Sequence, residues 1–129
     1  MFWIALSALI MNLTGEGDDT HAFRKLLERL REAIEERVQE PARRKAGLQT
    51  IDQASNAFVK HRERFAKIGT CIERADRSYT ASREDYERCF VDVEPAWKAA
   101  AEDLIRLDRG LHSSLTPAEL AAVQRAGGQ

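Results

Sequence analysis

At 129 residues, with 32% charged and 43% hydrophobic side chains and only 7 Gly and 3 Pro, the chain has one domain's length. That balance suits helices with solvated faces rather than strands and turns. The formal net charge of -1 lacks the basic excess typical of nucleic-acid binders, so the sequence predicts no nucleic-acid partner. Lys and Arg are interleaved with Asp and Glu along each helical stretch, the pattern of a salt-bridged surface.

The sharpest shift in composition comes first. Residues 1–15 carry no charged side chain and include Phe2, Trp3, Ile4, Leu6, Leu9, Ile10, Met11 and Leu13, whereas the chain from Glu16 onward is highly charged. The expected division is an apolar segment over 1–15 and a helical hairpin domain over 16–129. Three readings of the segment stay open. As a membrane anchor it spans about 22 Å as a helix, short of a hydrocarbon core of about 30 Å, so it would thin the bilayer or sit among other transmembrane helices. As a cleaved signal peptide it lacks a basic leading region and a small-residue cleavage site. As a soluble helix it would lay Leu13, Leu9, Leu6 and Phe2 on the hairpin tip but leave Trp3, Ile4, Ile10 and Met11 outside, and Gly15 and Gly17 interrupt it. The anchor is the expectation, with these apolar residues contacting membrane or partner.

From Asp18 the pattern turns helical. Phe23, Leu27, Leu30 and Ile34 recur at four and three residues, widened by Leu26, Ala33 and Val38. Asp18, Asp19 or Thr20 is placed to cap this hook helix, and Pro41 ends it and suits the first turn of the next. A long helix is expected from about Ala42 to Tyr79. Ile51, Phe58, Phe65, Ile72 and Tyr79 form its coiled-coil a positions, with Gly47, Ala54, His61, Ile68 and Ala75 at d. A turn comes next, with Thr80 or Ser82 as the N-cap of the third helix. That helix reads Tyr86, Phe90, Val93, Trp97, Ala100, Leu104, Leu107, Leu111, with a kink at or just before Pro95.

Folding these two helices back on each other pairs Ile51 with Leu107, Ala54 with Leu104, Phe58 with Ala100, His61 with Trp97, Phe65 with Val93, Ile68 with Phe90 and Ile72 with Tyr86. Large faces small where Ala54 meets Leu104 and Phe58 meets Ala100, which close packing rewards. The hook helix pairs Leu30 with Ile51 and Phe23 with Phe58, covering only the base. The expected fold is therefore all-α: a long antiparallel hairpin with an N-terminal hook helix, a partial three-helix bundle, plus a short C-terminal helix. Cys71 and Cys89 both fall at g, flank each other across the pair and have Thr80 as their midpoint, so a disulfide is expected at the tip. That bond favours an extracytoplasmic location. Arg24, Lys25, Arg29 and Arg31, close behind the apolar segment, favour the opposite side.

Chemistry-bearing motifs are sparse. The chain has no Gly-rich phosphate loop, nucleophile elbow or Cys-x-x-Cys, and His21, His61 and His112 lack metal-ligand spacing. No catalytic residue, metal ligand or cofactor is predicted. His61 is the one polar side chain placed between the long helices, expected against Trp97 as a packed ring donating to a neighbour, with a pH-sensitive pair of His61 and Trp97 as the functional alternative. Glu35-Glu36 and Glu102-Asp103 read as solvated charges.

Leu115-Thr116-Pro117-Ala118-Glu119 has a helix-start signature, with Thr116 as N-cap, Pro117 at N1 and Glu119 closing a capping box. This run, with the order anchor, hook helix, long hairpin and short helix, resembles the Spy-type stress chaperones and related heavy-metal sensors. Glu119 stands where their Leu-Thr-x-x-Gln motif has Gln, and the match covers about five residues. Their metal-binding histidine clusters have no counterpart here. The resemblance implies an extracytoplasmic holdase or metal-responsive sensor as an alternative. The residues themselves favour a non-enzymatic, membrane-tethered adaptor or accessory subunit that binds other proteins, such as members of a membrane complex. A soluble oligomerisation module is the third possibility.

Overall fold

The structure is a computed structural model describing residues 22–127, which are all-helical. The expectations for residues 1–15, for the caps at Asp18 to Thr20 and for His21 lie outside the described residues. The helices are α1 (Ala22–Arg37), α2 (Pro41–Arg77), α3 (Arg83–Phe90), α4 (Val93–Ser114) and α5 (Pro117–Gly127).

Local chemistry accounts for the boundaries. Glu40 caps α2: its carboxylate accepts from the Ala42 N–H at 3.1 Å and the Arg43 N–H at 2.7 Å, while Pro41 fills a first-turn position that needs no N–H. After 37 residues α2 stops at Ser78, two residues before Thr80. Ser82 begins α3 with a capping box, its hydroxyl accepting from Asp85 N–H and the Asp85 carboxylate accepting from Ser82 N–H at 2.8 Å. Thr116 and Glu119 form the same box at the head of α5, at 2.9 and 3.2 Å.

The third predicted helix is interrupted at Val91–Asp92, where α3 gives way to α4. Pro95 explains the place. It has no N–H for the Val91 carbonyl four residues back, and its ring crowds that oxygen. The flanking bonds survive, from Val91 N–H to Glu87 O at 3.1 Å and from Ala96 N–H to Asp92 O at 2.9 Å.

α2 lies against α4 and α3, α1 against α2 and α5. The largest fully buried side chains are Leu30, Ile34, Val38, Ile51, Leu111 and Val123, drawn from α1 and the residue just past its end, α2, α4 and α5. The core thus gathers at the end of α2 where all four meet. Phe23 packs on Phe58 with ring centroids 4.8 Å apart, as the hook-helix spacing predicted. Gly127 and Gly110 mark close approaches: a Cβ on Gly127 would stand 2.7 Å from a Leu30 methyl, and one on Gly110 2.6 Å from the Thr50 methyl.

Nearer the turn the predicted register fails. Tyr79 is fully exposed and Phe90 is 52% exposed, so neither is a core position. Phe65 meets Trp97, centroids 4.8 Å apart, rather than Val93. Tyr86 donates to Asp76 at 2.9 Å on the surface. The heptads were extrapolated through a helix end at Arg77 and a break at Val91, and each interruption shifts the phase of the residues beyond it.

Arg43 ties α2 to α5, its guanidinium donating to both Glu119 oxygens at 2.8 and 3.4 Å. The backbone N–H of Thr116, then Arg43, holds the Glu119 carboxyl below the usual range. Arg64 does the same to Asp92, and the Arg43 and Ala42 N–H groups to Glu40. A carboxyl whose folded pKa is depressed contributes stability fully above its unfolded value, and that contribution disappears as pH falls through the folded value. We expect urea midpoints to hold from neutral pH to the ordinary glutamate range and to fall below it. Glu119→Gln should start lower at pH 7 and converge with the parent under acid. Parallel curves would remove Glu119 from the acid response.

Candidate functional site

Two features of the α2–α3–α4 face carry polar chemistry. The first is a set of ion pairs between α2 and its neighbours. His61 is buried, at 9% exposure, and its Nε2 lies 2.5 Å from Asp103 Oδ2. Arg106 donates to the other Asp103 oxygen at 2.5 Å. One turn further along α2, Arg64 grips Asp92 at two points, 2.6 and 2.5 Å. This bidentate geometry is the strong form of the Arg–carboxylate bond. It raises the Arg64 pKa and lowers that of Asp92.

Sequence reasoning placed His61 against Trp97 and left Asp103 in solvent. In the structure Asp103 stands beside the imidazole, and Trp97 packs on Phe65, one turn along α2 from His61. The missed signal is one of phase. Asp103 immediately precedes Leu104, a core residue, so it sits at the edge of the buried stripe where a carboxylate reaches inward. Asp103→Ala leaves a buried ring nitrogen and Arg106 without their acceptor. The expected loss is about 1–3 kcal/mol by urea denaturation near neutral pH. Asp103→Asn, which keeps an acceptor, should lose less. Equal midpoints for parent and Asp103→Ala would show the bond to be worth nothing.

The second feature lies beside the turn. Cys71 on α2 and Cys89 on α3 stand with Cα atoms 5.5 Å apart and sulfurs at disulfide distance, 2.04 Å. The g-to-g placement anticipated that approach. Cys89 is buried and Cys71 partly so. Next to them is an open groove of about 620 Å³. Its lining combines the small residues Ala66, Thr70, Ala75, Ser78 and Ala81 and the two cysteines with Lys67, Arg74 and Arg88. Asp85 is the one carboxylate in the lining, and it is engaged: Ser82 N–H donates to it, holding its carboxyl below the usual range, and Arg88 lies 3.5 Å away. Among the described residues neither Lys67 nor Arg74 has an ion-pair partner. The groove was not foreseen, because it depends on the short α3, which the sequence pattern merges with α4.

The remaining predicted positions bring no further site together. His112 is exposed and 3.7 Å from Asp108 on its own helix. Among the described residues no group of three His, Cys, Asp or Glu side chains is placed to hold a metal ion. Among the same residues no helix is long and apolar enough to cross a membrane. No family model, curated protein or solved structure matches this chain.

Proposed function

We propose that the chain is a non-enzymatic helical adaptor, tethered to a membrane through residues 1–15, that binds other proteins with the turn end of its long helices. In this reading residues 16–129 form one antiparallel hairpin, with α2 against α3 and α4, α1 as the hook and α5 closing the base. The interlocking of Phe23 with Phe58, Phe65 with Trp97 and Arg64 with Asp92 supports that arrangement. The Cys71–Cys89 pair favours an extracytoplasmic side, since such bonds persist in oxidising compartments.

The observation that carries the proposal is where apolar surface remains. The three most exposed large apolar side chains among the described residues, Tyr79, Phe90 and Val91 at 105%, 52% and 77%, lie toward the turn end. Val59 and Ile105, at 46% and 39%, lie further back on α2 and α4, and the buried cluster gathers at the base. Large apolar side chains left in solvent at one end of a molecule are candidates for a protein-interaction surface. The test is affinity purification of the full chain from its native cells in mild detergent. The same partner should be recovered repeatedly and lost when Phe90 and Val91 are both replaced by serine. Repeated recovery of the chain alone would overturn the adaptor role.

A further inference from the structure

We infer that the groove beside Cys71 and Cys89 docks an acidic amphipathic helix of the partner protein, a step that rests on the adaptor reading and specifies where and by what chemistry it binds. The shape comes first. α2 and the short α3 lie side by side, and the groove along them is lined by small residues, Ala66, Thr70, Ala75 and Ala81 with the two cysteines, a valley into which a third helix can pack. Small residues let its axis approach to about 8–10 Å. A volume of about 620 Å³ admits several apolar side chains from one helix face. The charge comes second. In the lining Arg88 pairs with Asp85 at 3.5 Å, while Lys67 and Arg74 have no ion-pair partner among the described residues, leaving two cations in surplus. The chain as a whole has net charge -1, so this is a local surplus. Lys67 and Arg74 are two turns apart on one face of α2, roughly 10 Å along the axis, a spacing that carboxylates at successive heptad positions of a facing helix match.

The chain's own segments are poor occupants. α1 meets α2 on the Ile51–Phe58 stripe, and Lys67 lies about 160° around the helix from Ile51 at 100° per residue. In the N-terminal segment Phe2 to Leu13 include no carboxylate, and Glu16, Asp18 and Asp19 crowd into four residues beside Gly15 and Gly17 instead of lying seven apart on an apolar helix, as Lys67 and Arg74 require. A lipid headgroup would satisfy the cations but not the small apolar residues of the lining.

The test uses the full chain in mild detergent, with a photo-crosslinking residue at Ser78, at the turn end of the groove. Irradiation should join it to a partner segment that is helical and acidic. Lys67→Glu, Arg74→Glu and Arg88→Glu together should reduce partner recovery roughly tenfold or more, because like charges then face each other across the contact. Reversing Arg24, Lys25 and Arg29 on the exposed face of α1 should leave recovery unchanged. Thr70→Trp, which fills the groove without altering charge, should also abolish recovery and decides the matter if the triple variant fails to fold. A partner recovered equally by parent and both groove variants overturns the docking site while leaving the adaptor role intact. A crosslink to lipid, to residues 1–13 or to a basic segment overturns it as well. Recovery of the parent chain alone overturns both.

Discussion

Replacing Ile51 with alanine is expected to lower the unfolding free energy by about 2–5 kcal/mol. The side chain is completely buried, and its neighbours in the core are equally enclosed: Leu30 and Ile34 from α1 and Leu111 from α4 are all at or below 1% exposure. These groups come from different helices, each held by other contacts. The helices therefore cannot collapse freely into the space left behind, and the lost transfer energy is augmented by a residual cavity. Ile105→Ala is the internal comparison. Ile105 lies on α4, but it is 39% exposed, so its truncation should cost well under half as much. Urea unfolding of both variants near pH 7 gives the two values directly. Equal costs would mean that the stability of this chain does not reside where its helices converge.

The base of the molecule was largely legible and the turn end was not, for a physical reason. Pro41 announced the start of α2, Thr116 and Glu119 the start of α5, and the spacing of Phe23 brought it to Phe58, because caps and short-range periodicity act within a few residues. Packing of α5 on α1 was missed. Leu120 and Val123 show only one short apolar repeat, and nothing in so brief a pattern says which helix it will cover. Phe90 and Tyr79 failed together, since both were obtained by carrying one heptad phase past the end of α2 and through the break before α4. Cys71 and Cys89 escaped that error because their pairing asks only that they lie equally far from the turn, on either side of Thr80, whichever face Phe90 takes. Asp103 needed knowledge of its partner's position, which no local pattern contains.

The second large effect is expected from the cysteines. Their separation of 18 residues encloses the turn and most of α3. In the chain-entropy account a loop of that size is worth about 3 kcal/mol, because the crosslink removes conformations from the opened state. The two residues should be replaced by alanine rather than serine, since Cys89 is 5% exposed and a hydroxyl there would add a burial cost of its own. The effect should be local. Between residues 62 and 92 few side chains are buried, chiefly Ile68, Ala75 and Cys89, so opening this end sacrifices little core. Ile34, Ile51 and Leu111 stay enclosed by α1 and α5 at the other end. Amide exchange near the turn should therefore accelerate by roughly two orders of magnitude in the Cys71→Ala, Cys89→Ala protein, the rate equivalent of about 3 kcal/mol. Amides around Ile51 and Leu111 should remain protected. Reducing the parent protein should reproduce the pattern. Uniform acceleration along the whole chain would show that the turn end and the base unfold as one cooperative unit. No acceleration anywhere would show that the packing of α3 on α2 holds the end closed without the sulfurs.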